Sequence, residues 1–218
     1  KQGRMHPEIS VFVNKAFYNL KLRPVPVEHQ NKPLSFTHYD ADSPAQHLLA
    51  TNRVAFIATK NDGHNLSIKV NASEAHIIAS IVYGAWQLYM MNGKPFIPEQ
   101  TLGIIVPYRN QIAMIRKELS ILKIDDLLKI TIDTVERFQG SERDIIVYGF
   151  TVNRQYQLDF LTNNTIMENN QLIDKKLNVV LTRAREQTIL VGNPEILSHN
   201  ELFKSLIEYL RSNGSYFK

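Results

Sequence analysis

The sequence predicts an α/β fold, a mostly parallel sheet with helices on both faces, in a single domain spanning 1–218. β-rich runs alternate with amphipathic helical stretches along the chain. No internal repeat interrupts the alternation, and 218 residues, 44% of them hydrophobic, suffice for one real core.

The elements follow in order. His6-Pro7-Glu8 precedes apolar residues at Ile9, Phe12, Val13 and Phe17, a helical rhythm with Pro at a tolerated first-turn position and Glu near the positive end. Three prolines between Arg23 and Pro33 break regular structure, so 1–33 reads as an N-terminal motif and Pro-rich connector, followed by a short strand at Leu34–Tyr39. Val54–Thr59 is a β-rich run. Asn71-Ala-Ser-Glu74 then caps a long helix bearing Ile77, Ile78, Ile81, Val82, Ala85, Leu88 and Tyr89, which stops at Gly93 and places Trp86 in the core. Leu102–Val106 is an apolar strand ending in Pro107, and Asn110–Leu119 is helical in pattern. Strands at Leu128–Ile132 and Ile145–Phe150 bracket Asp133–Asp144, which is too polar for core and contains Gly140. Residues 151–176, with Asn163-Asn164 and Asn169-Asn170 and no clean period, read as a variable insertion. A helix over Leu172–Arg185, a strand at Thr188–Gly192 and a helix at Ile196–Arg211 close the chain.

Ligands of such sheets gather beyond the carboxyl ends of the strands, so chemistry is expected just after Val106 and Ile132 and on the helix entering Ile189. There Pro107, Tyr108, Arg109 and Thr134 can present hydroxyl and N–H groups to a phosphate backbone, or equally can be a packed Tyr and a solvated Arg. Gly140 permits close backbone approach to a ligand, and Glu142 can hold a sugar hydroxyl or orient an arginine.

Composition excludes several classes. Lys plus Arg number 25 against 21 Asp plus Glu, a net +4 that does not by itself announce a polyanion partner. Cysteine is absent, which removes disulfides, thiolate zinc sites and thiol nucleophiles and fits a reducing, cytoplasmic setting, or the nucleus of a eukaryote. Apolar runs such as Ile77–Val82 fall far short of the roughly 20 residues that span a bilayer, so no membrane partner is expected. The seven His are scattered without paired spacing, so no metal site is expected. No Gly-x-x-x-x-Gly-Lys-Ser/Thr loop is present to cradle phosphates, and no acidic pair follows a strand to hold magnesium.

Four segments together resemble the second, RecA-like motor domain of superfamily 1 helicases of the nonsense-mediated-decay type. They are Leu102-Gly-Ile-Ile-Val-Pro-Tyr-Arg-Asn-Gln111, Thr134-Val-Glu-Arg-Phe-Gln-Gly-Ser-Glu-Arg-Asp144, Asn178-Val-Val-Leu-Thr-Arg-Ala-Arg185 followed by Val191-Gly192-Asn193, and Gln2-Gly-Arg-Met-His-Pro7. The last has Gly3 where the family has Tyr. Order and spacing agree over nearly the whole chain. The chain opens inside the last of these segments, as expected of a part excised from a longer protein.

The resemblance implies a second helicase domain of the P-loop NTPase type without a Walker loop of its own, inactive alone. Arg4 and Arg183 would be arginine fingers reaching ATP and Mg2+ held mainly by an N-terminal RecA-like domain of the same polypeptide. A planar, permanently charged guanidinium suits the charge that spreads over a γ-phosphoryl group in transfer. Gln139, Gly140 and Glu142 would form the nucleotide loop, and Pro107, Tyr108, Arg109 and Thr134 part of a track for single-stranded DNA or RNA, moving 5′ to 3′. A different class of reading keeps the fold but loses the motor, leaving a nucleic-acid-binding scaffold.

Overall fold

The computed structural model describes the chain except for residues 1, 2, 4, 18, 19, 22, 24, 26, 27, 61–66, 139, 140, 164, 169 and 170, and leaves aside the side chains of 17, 28, 29, 165–168 and 171–175. The strands are β1 Val54–Ala58, β2 Leu102–Ile105, β3 Thr131–Asp133, β4 Arg143–Gly149, β5 Thr165–Glu168, β6 Gln171–Asp174, β7 Ala184–Gly192 and β8 Tyr216–Phe217. The helices are α1 Pro7–Phe17, α2 Pro44–Thr51, α3 Ala72–Met91, α4 Pro98–Thr101, α5 Arg109–Ile121, α6 Asp125–Leu128, α7 Gln157–Thr162, α8 Lys175–Leu181, α9 Pro194–Leu197 and α10 Glu201–Ser212.

Six strands form an all-parallel sheet in the order β3-β2-β4-β7-β1-β8, while β5 and β6 make a separate antiparallel hairpin. The α/β expectation with both faces covered therefore holds. Alternate strand residues feed two cores. Phe56, Ile146, Tyr148 and Leu190 pack with Ile9, Phe12 and Val13 of α1 and Phe203, Leu206 and Leu210 of α10. Ala55, Ile145, Val147, Ile189 and Val191 face Leu48 and Leu49 of α2, Ile78, Val82 and Leu88 of α3, and Ile115 and Leu119 of α5. Each fully buried Leu, Ile or Phe contributes about 1.5–3 kcal/mol of transfer free energy.

Helix α3 stands where its pattern puts it. Asn71 Oδ1 accepts the Glu74 N–H at 2.9 Å at its start. At its end Gly93 takes φ +61°, Gly93 N–H bonds Met90 O at 3.1 Å and Lys94 N–H bonds Tyr89 O at 2.9 Å, so the left-handed residue closes the last turn. Helix α10 is capped likewise, Asn200 Oδ1 accepting from Leu202 and Phe203.

Other expectations are corrected. Leu34–Tyr39 forms no strand: its Thr37 and His38 N–H groups bond Asn92 Oδ1 at 2.9 and 3.0 Å, so a side chain past α3, not a neighbouring strand, satisfies them. Leu128 ends helix α6, and the strand expected at Leu128–Ile132 starts only at Thr131, where pairing with Gly103 begins. The helix expected over Leu172–Arg185 is α8 alone; Ala184 and Gln187 already pair with Arg143 and Ile145 of β4 and are buried, so β7 takes the rest. Residues 151–176, where no regular period is legible, contain α7 and the β5–β6 hairpin. The closing helix divides into α9 and α10, and α2 and β8 went unpredicted. Trp86 is only partly buried, against the second core, with its ring stacked on Tyr83 at 6.2 Å. Among the described residues no helix is long and apolar enough to cross a membrane.

Candidate functional site

The expected site residues fall at opposite edges of the sheet. Seven residues of β4 separate the two, roughly 20 Å at about 3.3 Å per residue.

At the amino edge β4 and β7 begin side by side, and Arg143 N–H bonds Arg183 O at 3.1 Å. Arg183, partly exposed, occupies the two-residue turn between α8 and β7, where its own N–H bonds Val180 O at 3.1 Å. Arg185 lies just inside β7. Its Nε donates to Asp144 Oδ1 at 2.8 Å, and a terminal nitrogen stands 3.6 Å from Glu142 Oε1. Arg143 donates to Glu142 O at 2.7 Å and to Thr131 Oγ1 at 3.0 Å, with its guanidinium 5.4 Å from the Phe138 ring. Burial raises the pKa of Asp144, opposed by Arg185, and burial lowers that of Arg143 with Arg185 adding to the effect. The segment ahead of α1 is bound to this edge as well, since His6 N–H bonds Arg185 O at 2.9 Å and Gln30 holds Met5 O. Arg4, Gln139 and Gly140 lie outside the described residues.

Of the places the sequence marks, Arg183 ahead of β7 and Glu142 ahead of β4 thus stand at the amino ends of their strands. The Glu142 carboxylate faces the guanidinium of Arg185. With Asp144 and Glu142 engaged by Arg185, and no convergent trio of His, Asp or Glu among the described residues, the edge suits contact with an anionic phosphate and does not suit a resident magnesium ion.

At the carboxyl edge β2 and β3 end together, Ile105 opposite Asp133, and Val106 N–H bonds Asp133 O at 3.1 Å. Pro107, Tyr108 and Thr134 are thus brought together there, each partly exposed, with Arg109 exposed at the start of α5. Thr134 opens a turn, its carbonyl accepting from Arg137 and Phe138. The Arg109 side chain makes no hydrogen bond or ion pair among the described residues.

Behind these residues lies a buried amide network that the sequence reading missed. Gln111 and Asn71 exchange two bonds, Asn71 N–H to Gln111 Oε1 and Gln111 Nε2 to Asn71 O, both at 2.8 Å. Asn71 Nδ2 bonds Asn153 Oδ1 at 3.0 Å. Gln157 Oε1 accepts from Asn153 and Arg154 N–H, while its Nε2 donates to Ile68 O at 2.7 Å and Tyr108 Oη at 3.2 Å. Asn71 caps α3 through the Glu74 N–H, and the Glu74 side chain turns elsewhere. Glu74, fully buried, instead accepts the Thr151 N–H at 2.8 Å, and burial pushes its carboxyl up to about 8, so it is largely neutral at pH 7. Thr151 holds φ +51°, a strained conformation for a β-branched residue. The available signal was the Asn and Gln at helix starts and after β4, but a sequence does not distinguish buried amides from exposed ones.

The family model of an AAA domain, AAA_12, matches residues 1–195. The chain belongs to the AAA_12 family. Among curated relatives, the DNA polymerase alpha-associated DNA helicase A of Saccharomyces cerevisiae is 31% identical over 166 residues, covering 73% of this chain and 21% of its own length. The helicase Sen1 of Schizosaccharomyces pombe is 28% identical over 218 residues, 95% of this chain and 11% of its own. Regulator of nonsense transcripts 1 of Dictyostelium discoideum is 28% identical over 223 residues, 98% of this chain and 15% of its own. The chain thus spans about a fifth or less of the length of these relatives. This AAA_12 domain is of the C-terminal, superfamily 1 helicase type, as its motifs imply.

Proposed function

We propose that this AAA_12 domain is the second half of an ATP-driven nucleic-acid motor. Its amino edge faces nucleotide held mainly by an N-terminal RecA-like domain of the same polypeptide, and its carboxyl edge carries single-stranded DNA or RNA. The division of the motif residues between those edges carries the reading: Arg183 stands by the Glu142–Arg185–Asp144 cluster, and Pro107, Tyr108, Arg109 and Thr134 lie at the far end of the same strands.

Bound ATP with Mg2+ supplies a γ-phosphoryl group whose transfer spreads negative charge. Arg183 meets that charge as a finger from the α8–β7 turn. Arg185, held by Asp144 and Glu142, fixes the start of β7 and so the position of the turn. Arg4 is the second finger, supported by the bond from His6, two residues on, to Arg185 O. Gln139, Gly140 and Glu142 form the nucleotide loop. Closure of the two domains moves the amino edge, and the strands transmit that movement to the track.

The test is nucleic-acid-stimulated ATP hydrolysis by the polypeptide carrying both domains, wild type against Arg183→Ala at matched nucleic-acid occupancy. Turnover is expected to fall by roughly 10³- to 10⁵-fold with single-strand affinity kept. Wild-type turnover in the variant rejects the finger role, and no turnover in either form leaves a nucleic-acid-binding scaffold.

A further inference from the structure

The exposed aromatic side chains among the described residues converge on one place. Tyr156 is 60% and Phe160 41% exposed, both from the stretch after β4, and Ile68 beside them is 45% exposed. With Lys69, Tyr108 and Gln157 they line a cavity of about 260 Å³ at the carboxyl edge. Apolar rings left in water cost free energy, and a domain otherwise able to bury its aromatics gains nothing in stability from leaving two adjacent ones out.

The lining is built. Tyr108 and Phe160 stack with ring centroids 5.1 Å apart at 18°. Phe160 is pinned by Lys176, whose Nζ donates to Phe160 O at 2.9 Å, lies 4.1 Å from the ring centroid and pairs with Glu136 at 3.7 Å. Tyr108 is held through its hydroxyl by Gln157, and Gln157 by the backbone of Ile68, Asn153 and Arg154. The amide of Gln157 is therefore engaged in holding the walls, and the surface it leaves is flat and apolar. Apart from the Tyr108 and Tyr156 hydroxyls and the Lys69 ammonium, the lining leaves no side-chain hydrogen-bond group unengaged to tell one base from another. Its one charged member is Lys69, no acid lines it, and the exposed Lys69, Arg109 and Arg154 side chains make no ion pair among the described residues.

Flat rings for π-faces, exposed cations beside them and few base-edge readers together match an unpaired base on a strand whose phosphates run past. We propose that this cavity is a base-binding subsite of the track: one unpaired base of single-stranded nucleic acid seats among Tyr156, Tyr108 and Phe160, with no sequence preference, while Lys69 and Arg154 meet the flanking phosphates. This rests on the carboxyl edge carrying nucleic acid. Tyr156 is the residue that sets occupancy, because it alone of the three rings is mostly in solvent and stacks on no other ring among the described residues.

The test is fluorescence anisotropy of the 218-residue chain with two oligonucleotides of equal length and charge, oligo(dT) and its fully abasic analogue, over a salt series, for the wild type, Tyr156→Ala and Tyr156→Phe. Stacking contributes about 1–3 kcal/mol per base, which is roughly a 5- to 150-fold change in Kd. The wild type should favour oligo(dT) by at least that lower factor, Tyr156→Ala should lose the preference with an unchanged salt slope, and Tyr156→Phe should keep it. Equal, salt-sensitive binding of both oligonucleotides by the wild type overturns the base subsite and leaves the track standing. A preference for oligo(dT) that survives in Tyr156→Ala overturns the placement at this cavity. Binding of neither oligonucleotide at low salt overturns the track together with the subsite.

Discussion

The two edges of the sheet are stabilised by different physics. The amino edge is ionic: Arg143, Asp144, Arg185 and Glu142 meet within a few residues of one another, and beside them Arg53 donates to Glu186 O and stands 3.7 Å from Glu8. The carboxyl edge is held by neutral groups, the amides of Asn71, Gln111, Asn153 and Gln157, a phenol, and the mostly protonated Glu74. An ionic cluster leaves long-range field at its surface and is weakened by salt; a closed amide network fixes geometry with little field and little salt sensitivity. On the proposed function the amino edge would use the first against a phosphoryl group, and the carboxyl edge the second as a rigid floor that does not compete with its own surface cations.

The largest effect that tests this contrast is on pH-dependent stability. Burial pushes the Glu74 carboxyl up to about 8 in the folded chain, well above the usual carboxylate range, so the folded state keeps its proton where the unfolded state loses it. Stability from this group is therefore lost as pH rises from about 4.5 to about 8 and is level above, with a limiting slope of about 1.4 kcal/mol per pH unit. Glu74→Gln should match the wild type in Tm near pH 4.5 and exceed it by several degrees at pH 8, in low and high salt alike. A wild type whose Tm does not fall relative to Glu74→Gln across that range contradicts the neutral-network description.

Next in size is Arg185→Ala, which removes the guanidinium that faces Asp144 and Glu142. We expect a loss of roughly 1–2 kcal/mol, which is a few degrees in Tm for a domain of this size, shrinking at high salt. Oligonucleotide affinity at the carboxyl edge should stay as in the wild type. Thermal melts at 0.05 and 1 M salt measure the first, and a salt-independent loss would show that packing, not charge, holds this edge. The smallest effect belongs to Arg109→Ala, which removes one exposed cation. Affinity should fall a few-fold and the slope of log K against log salt by about 0.7–0.9, one phosphate contact, with Tm unchanged. An unchanged slope would remove Arg109 from the track.

Much of the fold was legible because local signals agreed with their tertiary use. Asn71, the 3.6-residue spacing from Ile78 to Leu88 and Gly93 specify α3 wherever it lands, and Pro7 with Glu8 does the same for α1. The apolar run at Leu102–Ile105 reads as a strand buried on both faces, and it is. Motif spacing and order marked the chain as an AAA_12 helicase-type domain, and the same residues marked Pro107, Tyr108, Thr134, Glu142 and Arg183 for attention.

The rest was decided only by tertiary structure. Ala184–Gln187 extends because β4 offers a paired edge beside it, overriding the helical pattern of the preceding turns. Leu34–Tyr39 stays irregular although its β-propensity is real, because Asn92 Oδ1 and not a neighbouring strand takes its Thr37 and His38 N–H groups. Sheet order and strand direction placed Arg183 and Tyr108 on opposite edges, and nothing in the spacing of residues along a chain encodes which end of a parallel strand faces which partner. The state of Glu74 and the convergence of Tyr108, Tyr156 and Phe160 arise in the same way: desolvation and contact depend on what the fold sets beside a side chain, and the sequence specifies only the side chain itself.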